Sequence, residues 1–246
     1  MQQIVDMYDV FAFDLDDTLV KTERFHYIAW MHVLKQHLGP AFSLTYEEYI
    51  FKVHSNKGSP VKDYLQDVLH INDYEKLINQ KNDYFIEIIK KYPEKFQLVS
   101  GITELINAII FTGKQFVIVS NSIKDTIDNM CELFPILKLS TKNYYRELFK
   151  NKKPHPECYL KVVEDFPNMK MIGFEDSITG IHAITQVKDI DVVFINSKSY
   201  PYYDYILNNY SLKYKCEDYL HIEQLLHVDT NIIDNISNNK CCILLQ

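Results

Sequence analysis

The sequence predicts an α/β fold: a doubly wound, Rossmann-like parallel sheet with an inserted α-helical cap domain. Four short apolar runs, rich in β-branched and aromatic residues, are typical of parallel strands buried on both faces. Segments with helical periodicity alternate with these runs, which indicates right-handed βαβ units. A long stretch after the first run contains helical patterns and no convincing strand, which indicates the insertion.

The elements of the sheet domain follow from these patterns in chain order. Strands are predicted at residues 8–15, 115–119, 170–174 and 191–195. Helices with apolar residues three or four apart are predicted at residues 102–111, 124–134, 156–165 and 178–187. Ser177 stands just before the last of these helices, where its hydroxyl is expected to cap the helix N-terminus.

Residues 21–95 are predicted to form the cap domain. Helical patterns there cover residues 23–38, 47–53, 61–70 and 74–92. A crossover between parallel strands needs only about a dozen residues, so the excess indicates a separate helical unit over the strand ends. The remaining boundaries place the α/β core at residues 1–20 and 96–228, and a polar, Asn-rich tail at residues 229–246.

Charge and cysteine content narrow the class of protein. The chain has 26 basic and 33 acidic residues, a formal charge of −7, and two arginines among its basic residues. An acidic chain with few arginines lacks the electrostatic pattern of a general nucleic-acid binder. Five cysteines without a Cys-x-x-Cys spacing argue against a disulfide framework or a zinc knuckle. No apolar run approaches the roughly 18 residues of a membrane span. We therefore expect a soluble, cytoplasmic protein without a membrane or nucleic-acid partner.

Polar side chains stand next to the predicted strands and helices at four places. They are Asp14 and Asp16, Ser120 and Asn121, Lys152 and Lys153, and Glu175 and Asp176. Turn and N-cap preferences explain any one of these stretches alone. All four, however, would meet at the rim formed by the carboxyl ends of the strands, where open α/β sheets bind ligands. Carboxylates crowded at one rim repel each other and need a cation. Because the candidate ligands are oxygens, the expected cation is Mg²⁺.

These four stretches resemble the four motifs of the haloacid dehalogenase superfamily of phosphotransferases and phosphatases. FAFDLDDTLV at residues 11–20 is similar to the first motif, and VIVSN, ending at Asn121, to the second. KPHP at residues 153–156 is similar to the third motif, and GFEDSITGIHA at residues 173–183 to the fourth. A helical insert directly after the first motif is the arrangement of the superfamily's subclass I. One departure is Asp17, which stands where the family often has glycine.

The resemblance implies a role for each acidic residue. Asp14 corresponds to the nucleophile, which attacks phosphorus and becomes an aspartyl-phosphate. Asp16 corresponds to the general acid and base, and its backbone carbonyl to a metal ligand. Asp176 would complete the metal shell, with Glu175 beside it. The implied Mg²⁺ site therefore consists of Asp14, Asp16, Asp176 and Glu175.

The resemblance also implies roles for the polar and basic residues. Ser120 and nearby backbone N–H groups would hold the oxygens of the transferring phosphoryl group, and a lysine would offset their charge. We choose Lys153 over Lys152 for that role, because the family's lysine directly precedes the proline. Ser120 and Lys153 thus join Asp14 and Asp16 as predicted catalytic residues.

The presence of Asp16 favours phosphate-ester chemistry. Dehalogenases of this superfamily displace a halide, which needs no proton, and they lack an aspartate at this position; phosphonatases replace it too. The resemblance therefore implies a Mg²⁺-dependent phosphatase that hydrolyses a small phosphorylated metabolite, acting as a monomer. The alternatives are a phosphosugar mutase similar to β-phosphoglucomutase and a non-catalytic binding module on the same fold. A decayed enzyme usually loses one of its motif residues, and none is lost here.

The predicted cap bears on the choice between phosphatase and mutase. Residues 22–30, including His26, are similar to a stretch of the β-phosphoglucomutases, and Lys57 resembles the lysine that opens their cap specificity loop. Val61 stands where their arginine would bind a second phosphate, and the neighbouring Lys62 cannot reproduce a bidentate grip. We therefore predict net hydrolysis, with His26, Lys57 and Asn121 contacting the substrate.

Overall fold

A six-stranded, fully parallel sheet forms the centre of the molecule. A computed structural model describes residues 2–54 and 61–224. The strand order is β3-β2-β1-β4-β5-β6, so β1 lies between β2 and β4. The strands are β1 (Val10–Phe13), β2 (Gln115–Val119), β3 (Lys142–Tyr144), β4 (Met171–Glu175), β5 (Ile190–Ile195) and β6 (Tyr214–Cys216). This topology confirms the predicted doubly wound α/β fold.

Helices cover both faces of the sheet and fill the insert. The sheet helices are α1 (Gln2–Met7), α6 (Ile102–Phe111), α7 (Lys124–Leu133), α8 (Glu157–Asp165), α9 (Ile178–Ile184) and α10 (Tyr203–Asn209). The insert contains α2 (Glu23–Leu38), α3 (Tyr46–Tyr49), α4 (Val61–Asp63) and α5 (Tyr74–Lys91). Helices α3 and α4 continue as the π-helical turns Ile50–His54 and Tyr64–Val68. No helix in the described ranges is long and apolar enough to cross a membrane.

Alternation along β1 divides the core into two layers. Phe11 and Phe13 belong to the cluster that contains the apolar residues of α1, α6 and α7. Val10 and Ala12 belong to the opposite cluster, with α8, α9 and α10. All four side chains are fully buried, and burying each phenylalanine contributes about 1.5–3 kcal/mol. A strand buried on both faces has no room for a polar residue, so the first one, Asp14, follows at its end.

The helical insert has a hydrophobic cluster of its own. Trp30, Leu34, Tyr49, Leu65 and Leu77 are buried together in it. The far part of α5 packs instead with the sheet cluster, which includes its residues 85, 88 and 89. Helix α5 therefore connects the insert to the sheet. The domain boundaries at residues 21 and 95 stay a prediction.

The two edge strands and α1 were not predicted from the sequence. β3 and β6 have three residues each and pair on one side, so neither carries a continuous apolar run. The four predicted strands are present, although β1 is shorter than the predicted residues 8–15. The predicted rim residues after β1, β2 and β4 do not depend on these elements, but the turn after β3 adds Arg146 to the cleft lining.

Candidate active site

The candidate site lies outside the carboxyl ends of β1, β2 and β4. β1 is a central strand, and the chain order reverses on either side of it. A switch point of this kind leaves a crevice beyond the strand ends. Here the crevice is a cleft of about 920 Å³, lined on its other side by residues of α2 and α5.

Lys153 lies at the centre of the predicted catalytic residues. Its Nζ donates hydrogen bonds to Asp14 Oδ1 at 2.6 Å, to Glu175 Oε1 at 2.7 Å and to the Val119 carbonyl at 2.6 Å. These three acceptors come from the ends of β1, β4 and β2. The structure therefore brings Lys153 to Asp14, whereas Lys152 lies exposed on the lining of the cleft.

The charges of this group depend on one another. Burial raises the pKa of Asp14 well above its usual range, although Lys153 opposes the rise. Burial would lower the pKa of Lys153, but Asp14 and Glu175 outweigh it and raise that pKa, so the lysine stays an ammonium. Burial and the nearby Asp14 charge raise the pKa of Asp176 as well. The site therefore holds more carboxylates than one ammonium can neutralise.

Three of these carboxylates are placed to bind a divalent cation. Ligand atoms of Asp14, Glu175 and Asp176 lie within 4.8 Å of one another, and all three residues are buried. Glu175 Oε2 is buried and has no hydrogen-bond partner among the described residues. A buried carboxylate oxygen without a partner is costly, and a cation between the carboxylates would satisfy it. The all-oxygen set fits Mg²⁺.

Gly180 makes room for Glu175 against the first turn of α9. A Cβ at this position would lie 1.8 Å from Glu175 Oε2 and 2.2 Å from its Cδ. Ser177 Oγ accepts a hydrogen bond from Gly180 N at 3.1 Å, which confirms the predicted N-cap of α9. The cap and the missing Cβ together let the start of α9 approach the carboxylate closely.

Asp16 accepts hydrogen bonds at both carboxylate oxygens. Oδ1 accepts from Thr22 Oγ1 at 2.7 Å and from His26 Nε2 at 2.9 Å, and Oδ2 accepts from Ser122 Oγ at 2.8 Å. Burial would raise the pKa of Asp16, but the interaction with His26 and the two hydroxyl donors hold that pKa well below its usual range. In this arrangement the side chain is a carboxylate.

His26 joins Asp16 to Lys81, a buried lysine of α5. Lys81 Nζ lies 2.7 Å from His26 Nδ1, and an ammonium can only donate. Nδ1 therefore accepts, which places the ring proton on Nε2, facing Asp16. Burial lowers the pKa of Lys81 to about 8, although Asp16 and Glu23 attract its charge. The insert thus contributes a lysine and a histidine to the surroundings of the predicted general acid.

Lys81 and Ser122 were not identified from the sequence. Lys81 stands four residues after Leu77 and four before Phe85, both buried, so it lies on the apolar stripe of α5. A charged residue on such a stripe was the signal that could have found it. Ser122 follows the second motif by one residue and carries no comparable signal.

The loop after β2 holds Lys153 in place. Asn121 Oδ1 accepts from Lys153 N at 3.0 Å, and Asn121 Nδ2 donates to the Lys153 carbonyl at 3.1 Å. Ser120 is buried, and its Oγ accepts from Ser122 N at 2.9 Å. Asn121 also lines the cleft, and its contact with substrate stays a prediction.

The turn after β1 directs α2 towards the site. Asp17 has a φ of 53°, in the left-handed region that favours glycine. The glycine that the family often has at this position suits that backbone, and aspartate is one of the few other residues that tolerate it. Its Oδ1 accepts from Thr22 N at 2.8 Å and Glu23 N at 3.1 Å, at the start of α2. Glu23 is buried, accepts from the Tyr49 hydroxyl and pairs with His54 Nδ1 at 3.0 Å. Glu23 was not predicted as a site residue, because an acidic residue in the first turn of a helix is ordinary.

Lys57, predicted to contact the substrate, lies outside the described residues. Val61 is described, and it lines the cleft together with Lys62. Neither residue offers the guanidinium that the β-phosphoglucomutase pattern has at this point of the cap.

The fold and its rim of carboxylates define an α/β enzyme with a highly charged cleft. The sequence matches the family model of the haloacid dehalogenase-like hydrolases over residues 11–195. The chain belongs to this family. The matched span contains Asp14, Lys153 and Asp176. No curated protein matches the sequence significantly.

Solved structures of three proteins share this fold. A family IA, variant 3 hydrolase from Entamoeba histolytica is 20% identical, with a TM-score of 0.72 over 94% of this chain and 100% of that one. A β-phosphoglucomutase from Clostridium difficile is 21% identical, with a TM-score of 0.68 over 94% and 98% of the two chains. CbbY from Rhodobacter sphaeroides, solved with phosphate, is 20% identical, with a TM-score of 0.65 over 78% and 87%. At these identities, the structural similarity shows that the fold is shared.

Proposed function

We propose that the protein is a Mg²⁺-dependent phosphatase that hydrolyses a small phosphorylated metabolite through an aspartyl-phosphate at Asp14. The observation that carries this proposal is the ammonium of Lys153, 2.6 Å from Asp14 at the sheet rim. A phosphate monoester is an anion, so a carboxylate attacks it readily only where positive charge is already in position. Membership of the hydrolase family and the phosphate bound to CbbY support the same chemistry.

Asp14 has one oxygen available for the attack. Lys153 donates to Oδ1, and no described residue forms a hydrogen bond with Oδ2. In the first step a bond forms between Oδ2 and phosphorus, and the bond from phosphorus to the leaving oxygen breaks. In the second step water attacks the same phosphorus and gives a proton to the Asp16 carboxylate, while the bond from phosphorus to Oδ2 breaks and releases inorganic phosphate and the Asp14 carboxylate. Lys153 offsets negative charge throughout because its own carboxylate partners keep it protonated.

Asp14, Glu175, Asp176 and the backbone carbonyl of Asp16 would hold the Mg²⁺. When bound, the ion would supply positive charge against the anionic phosphoryl group. Its binding can be measured without turnover: adding Mg²⁺ should raise the melting temperature of the protein, because a ligand of the folded state stabilises it. Asp176→Asn should reduce that rise, whereas Asp128→Asn, at an exposed position of α7, should leave it unchanged. An equal rise in both variants would contradict this metal site.

Asp16 must change its hydrogen bonds before it can act as an acid. Both of its oxygens accept hydrogen bonds here, and the low pKa leaves it without a proton. Donation to the leaving oxygen requires Asp16 to bind a proton and release His26. Because His26 and Lys81 belong to helices of the insert, we infer that the insert takes part in setting the protonation of Asp16.

The mutase alternative is supported by one feature of the cleft. The His26 helix is similar to the matching stretch of β-phosphoglucomutases, and the same fold occurs in one from Clostridium difficile. The two reactions differ in the acceptor, which is water for a phosphatase and a sugar hydroxyl for a mutase. Supplying β-glucose 1-phosphate with catalytic amounts of the bisphosphate and measuring both products separates them. Glucose 6-phosphate forming much faster than free phosphate would overturn the hydrolase proposal.

The direct test of the proposal is Asp14→Asn. The amide keeps the shape of the side chain but cannot form the aspartyl-phosphate, so phosphate release should fall by at least about 10³-fold. Circular dichroism should show an unchanged fold, and Asp128→Asn serves as the matched control. Near-normal phosphate release by Asp14→Asn would exclude Asp14 as the nucleophile and, with it, the proposed mechanism.

A further inference from the structure

Arg146 and Lys152 are two of the cations that line the cleft, and neither has a side-chain partner among the described residues. Arg146 is one of the chain's two arginines, and both side chains contribute to the cleft wall. Across residues 2–54 and 61–224, neither side chain has a hydrogen-bond acceptor or a carboxylate within ion-pair distance. The cleft also has two buried lysines. Lys81 contacts His26, and Lys153 contacts the carboxylates of Asp14 and Glu175. Arg146 and Lys152 are therefore free to bind an anion from outside the chain.

Arg146 is held in position by the loop that follows β2. Its backbone N donates to the Ser122 carbonyl at 3.0 Å. The next residue, Glu147, accepts from Lys124 N at the start of α7, with both carboxylate oxygens at 3.2 Å. Ser122 is the residue whose hydroxyl donates to Asp16. One backbone hydrogen bond thus connects the Arg146 turn to the predicted catalytic loop.

Lys152 is held in position by the residues on either side of it. Glu157 accepts from Lys150 N and Asn151 N, both at 2.9 Å. On the other side, Lys153 N donates to Asn121 Oδ1. The backbone at Lys152 is therefore fixed, and only its flexible side chain extends along the cleft.

The two cations are close enough to repel each other. Desolvation lowers the pKa of the half-buried Arg146, and desolvation beside the cleft wall together with the Arg146 charge lowers the pKa of the more exposed Lys152 to about 8. Glu75, an exposed residue of α5, attracts both side chains from the opposite wall without reaching ion-pair distance. Two like charges on one wall repel each other, and an anion between them would remove that repulsion.

We propose that Arg146 and Lys152 bind a second anionic group of the substrate, while its scissile phosphate lies at Asp14. The inference rests on the proposed function and narrows the substrate class to phosphate monoesters that carry another phosphate or a carboxylate. A guanidinium suits both groups because its parallel N–H donors match two oxygens at once. The pair comes from the sheet side of the cleft, so it replaces the cap arginine that is absent at Val61.

The test compares three esters of similar size whose second group is neutral, a carboxylate or a phosphate. For the wild type we expect higher kcat/KM with one or both anionic esters, and the preferred one identifies the group bound. Arg146→Ala and Lys152→Ala should each lower kcat/KM for that ester about 10- to 100-fold, mainly through KM. The neutral ester should change less than about threefold.

Arg24→Ala is the matched control for the loss of one positive charge. Arg24 lies over the Tyr46 ring and does not line the cleft. The Arg24→Ala variant should have the wild-type kcat/KM for all three esters. If Arg146→Ala lowers kcat/KM equally for every ester, or if Arg24→Ala reproduces its selectivity, the proposed second-anion site is wrong.

Glu75→Gln separates an anion site from a latch between the insert and the sheet. If Arg146 and Lys152 bind substrate, removing the competing Glu75 charge should lower KM for the anionic esters and spare the neutral one. If Arg146 and Lys152 serve only to hold Glu75 and close the cleft, Glu75→Gln should lower kcat/KM for all three esters alike, as Arg146→Ala would.

Binding measurements keep the inference independent of turnover. A sugar bisphosphate and the matching monophosphate are titrated into the wild type and Arg146→Ala, in the presence of Mg²⁺. We expect the bisphosphate to bind at least tenfold more tightly to the wild type, and this preference to be lost in the variant. If no ester is hydrolysed but the preference is found, the proposed function fails while the anion site stands. Equal binding of both compounds to the wild type would overturn the anion site.

Discussion

Lys153 and Lys81 are both buried in the cleft, one on the sheet side and one on the insert. Their exposed fractions are similar, 6% and 8%. Burial alone would lower both pKa values, yet the pKa of Lys153 is raised and that of Lys81 falls to about 8. The difference lies in their direct partners, since Lys153 touches two carboxylates and Lys81 touches an imidazole.

This difference shows that the two walls of the cleft do different things. The sheet side holds a charge that stays fixed across the physiological pH range. The insert holds a lysine poised to lose its proton just above neutrality, next to the histidine that contacts Asp16. A fixed charge suits stabilisation of an anionic phosphoryl group, and an adjustable one suits the control of a proton.

Removing the fixed charge should have the largest effect. Lys153→Met should lower kcat by about 10²- to 10³-fold or more, because the substrate then meets uncompensated carboxylates. It should also lower the free energy of unfolding by about 3–5 kcal/mol at pH 7, since one partner of a buried ion pair is lost. Phosphate release and urea unfolding measure the two effects.

Lys153→Arg is the matched control for that variant. The arginine keeps the positive charge and should recover part of the free energy of unfolding. Its planar guanidinium cannot replace the single Nζ that donates to Asp14, Glu175 and the Val119 carbonyl. The loss of stability in Lys153→Met should shrink towards low pH, where the neighbouring Asp14 takes up a proton. A Lys153→Met protein with more than a tenth of wild-type kcat would show that the lysine is not part of the catalytic group.

Removing the histidine between the two walls should have the next largest effect. His26→Phe should lower kcat by about 10- to 100-fold, because Asp16 loses the donor that sets its pKa. Adding Lys81→Met should cause little further loss if Lys81 acts through His26. A double variant whose losses multiply would contradict this chain of contacts, and a double-mutant cycle in kcat measures the coupling.

The adjustable charge should leave a mark on stability as a function of pH. The folded protein releases the Lys81 proton near pH 8, whereas an unfolded chain holds it up to about pH 10.5. Through this group, the free energy of unfolding should rise between pH 8 and pH 10.5 by at most about 3 kcal/mol. Urea unfolding of wild type and Lys81→Met measures it, because other titrating groups cancel in the difference.

Lys138→Met, on the surface, should show no such difference from the wild type. A constant gap between wild type and Lys81→Met from pH 7 to pH 10 would mean that Lys81 keeps an ordinary pKa. The insert side of the cleft would then hold a lysine as permanently charged as Lys153 on the sheet side.

The smallest effect on turnover is expected from Gly180→Ala. The added Cβ overlaps Glu175, which Lys153 and Tyr159 hold in place, so helix α9 must shift. We expect the free energy of unfolding to fall by about 1–3 kcal/mol and kcat at saturating Mg²⁺ to fall only a few-fold. Ala183→Gly, later in α9, is a control for changing one buried methyl group elsewhere in the same helix. Wild-type stability in Gly180→Ala would show that the close approach is not required.

The sheet side of the cleft was predictable from the sequence, whereas on the insert side the resemblance indicated His26 but not Lys81. Asp14, Ser120, Lys153 and Asp176 each follow a strand or precede a helix of recognisable pattern, and the topology of parallel strands brings such positions to one rim. Lys81 comes from a helix whose direction over the sheet no local pattern determines. The periodicity of α5 predicted a helix, but not that its lysine faces His26.

The same limit applies to the edge of the sheet and to Arg146. Strands of three residues have too few positions to show a periodic pattern, so β3 and β6 were missed. The turn after β3 places Arg146 at the cleft, and without β3 that position could not be inferred. Lys153 was chosen over Lys152 on family resemblance, and the structure places it against Asp14.

The long separation of Asp14 and Lys153 in the chain has a consequence for synthesis. The two residues are 139 positions apart, and Lys153 and Glu175 a further 22. During synthesis Asp14 therefore leaves the ribosome long before Lys153, whose ammonium neutralises it, and before β4, which pairs with β1. Until then the first strand can be buried only together with an uncompensated carboxylate. Premature termination before β4 should thus yield an unfolded chain for degradation, and not a stable but inactive enzyme.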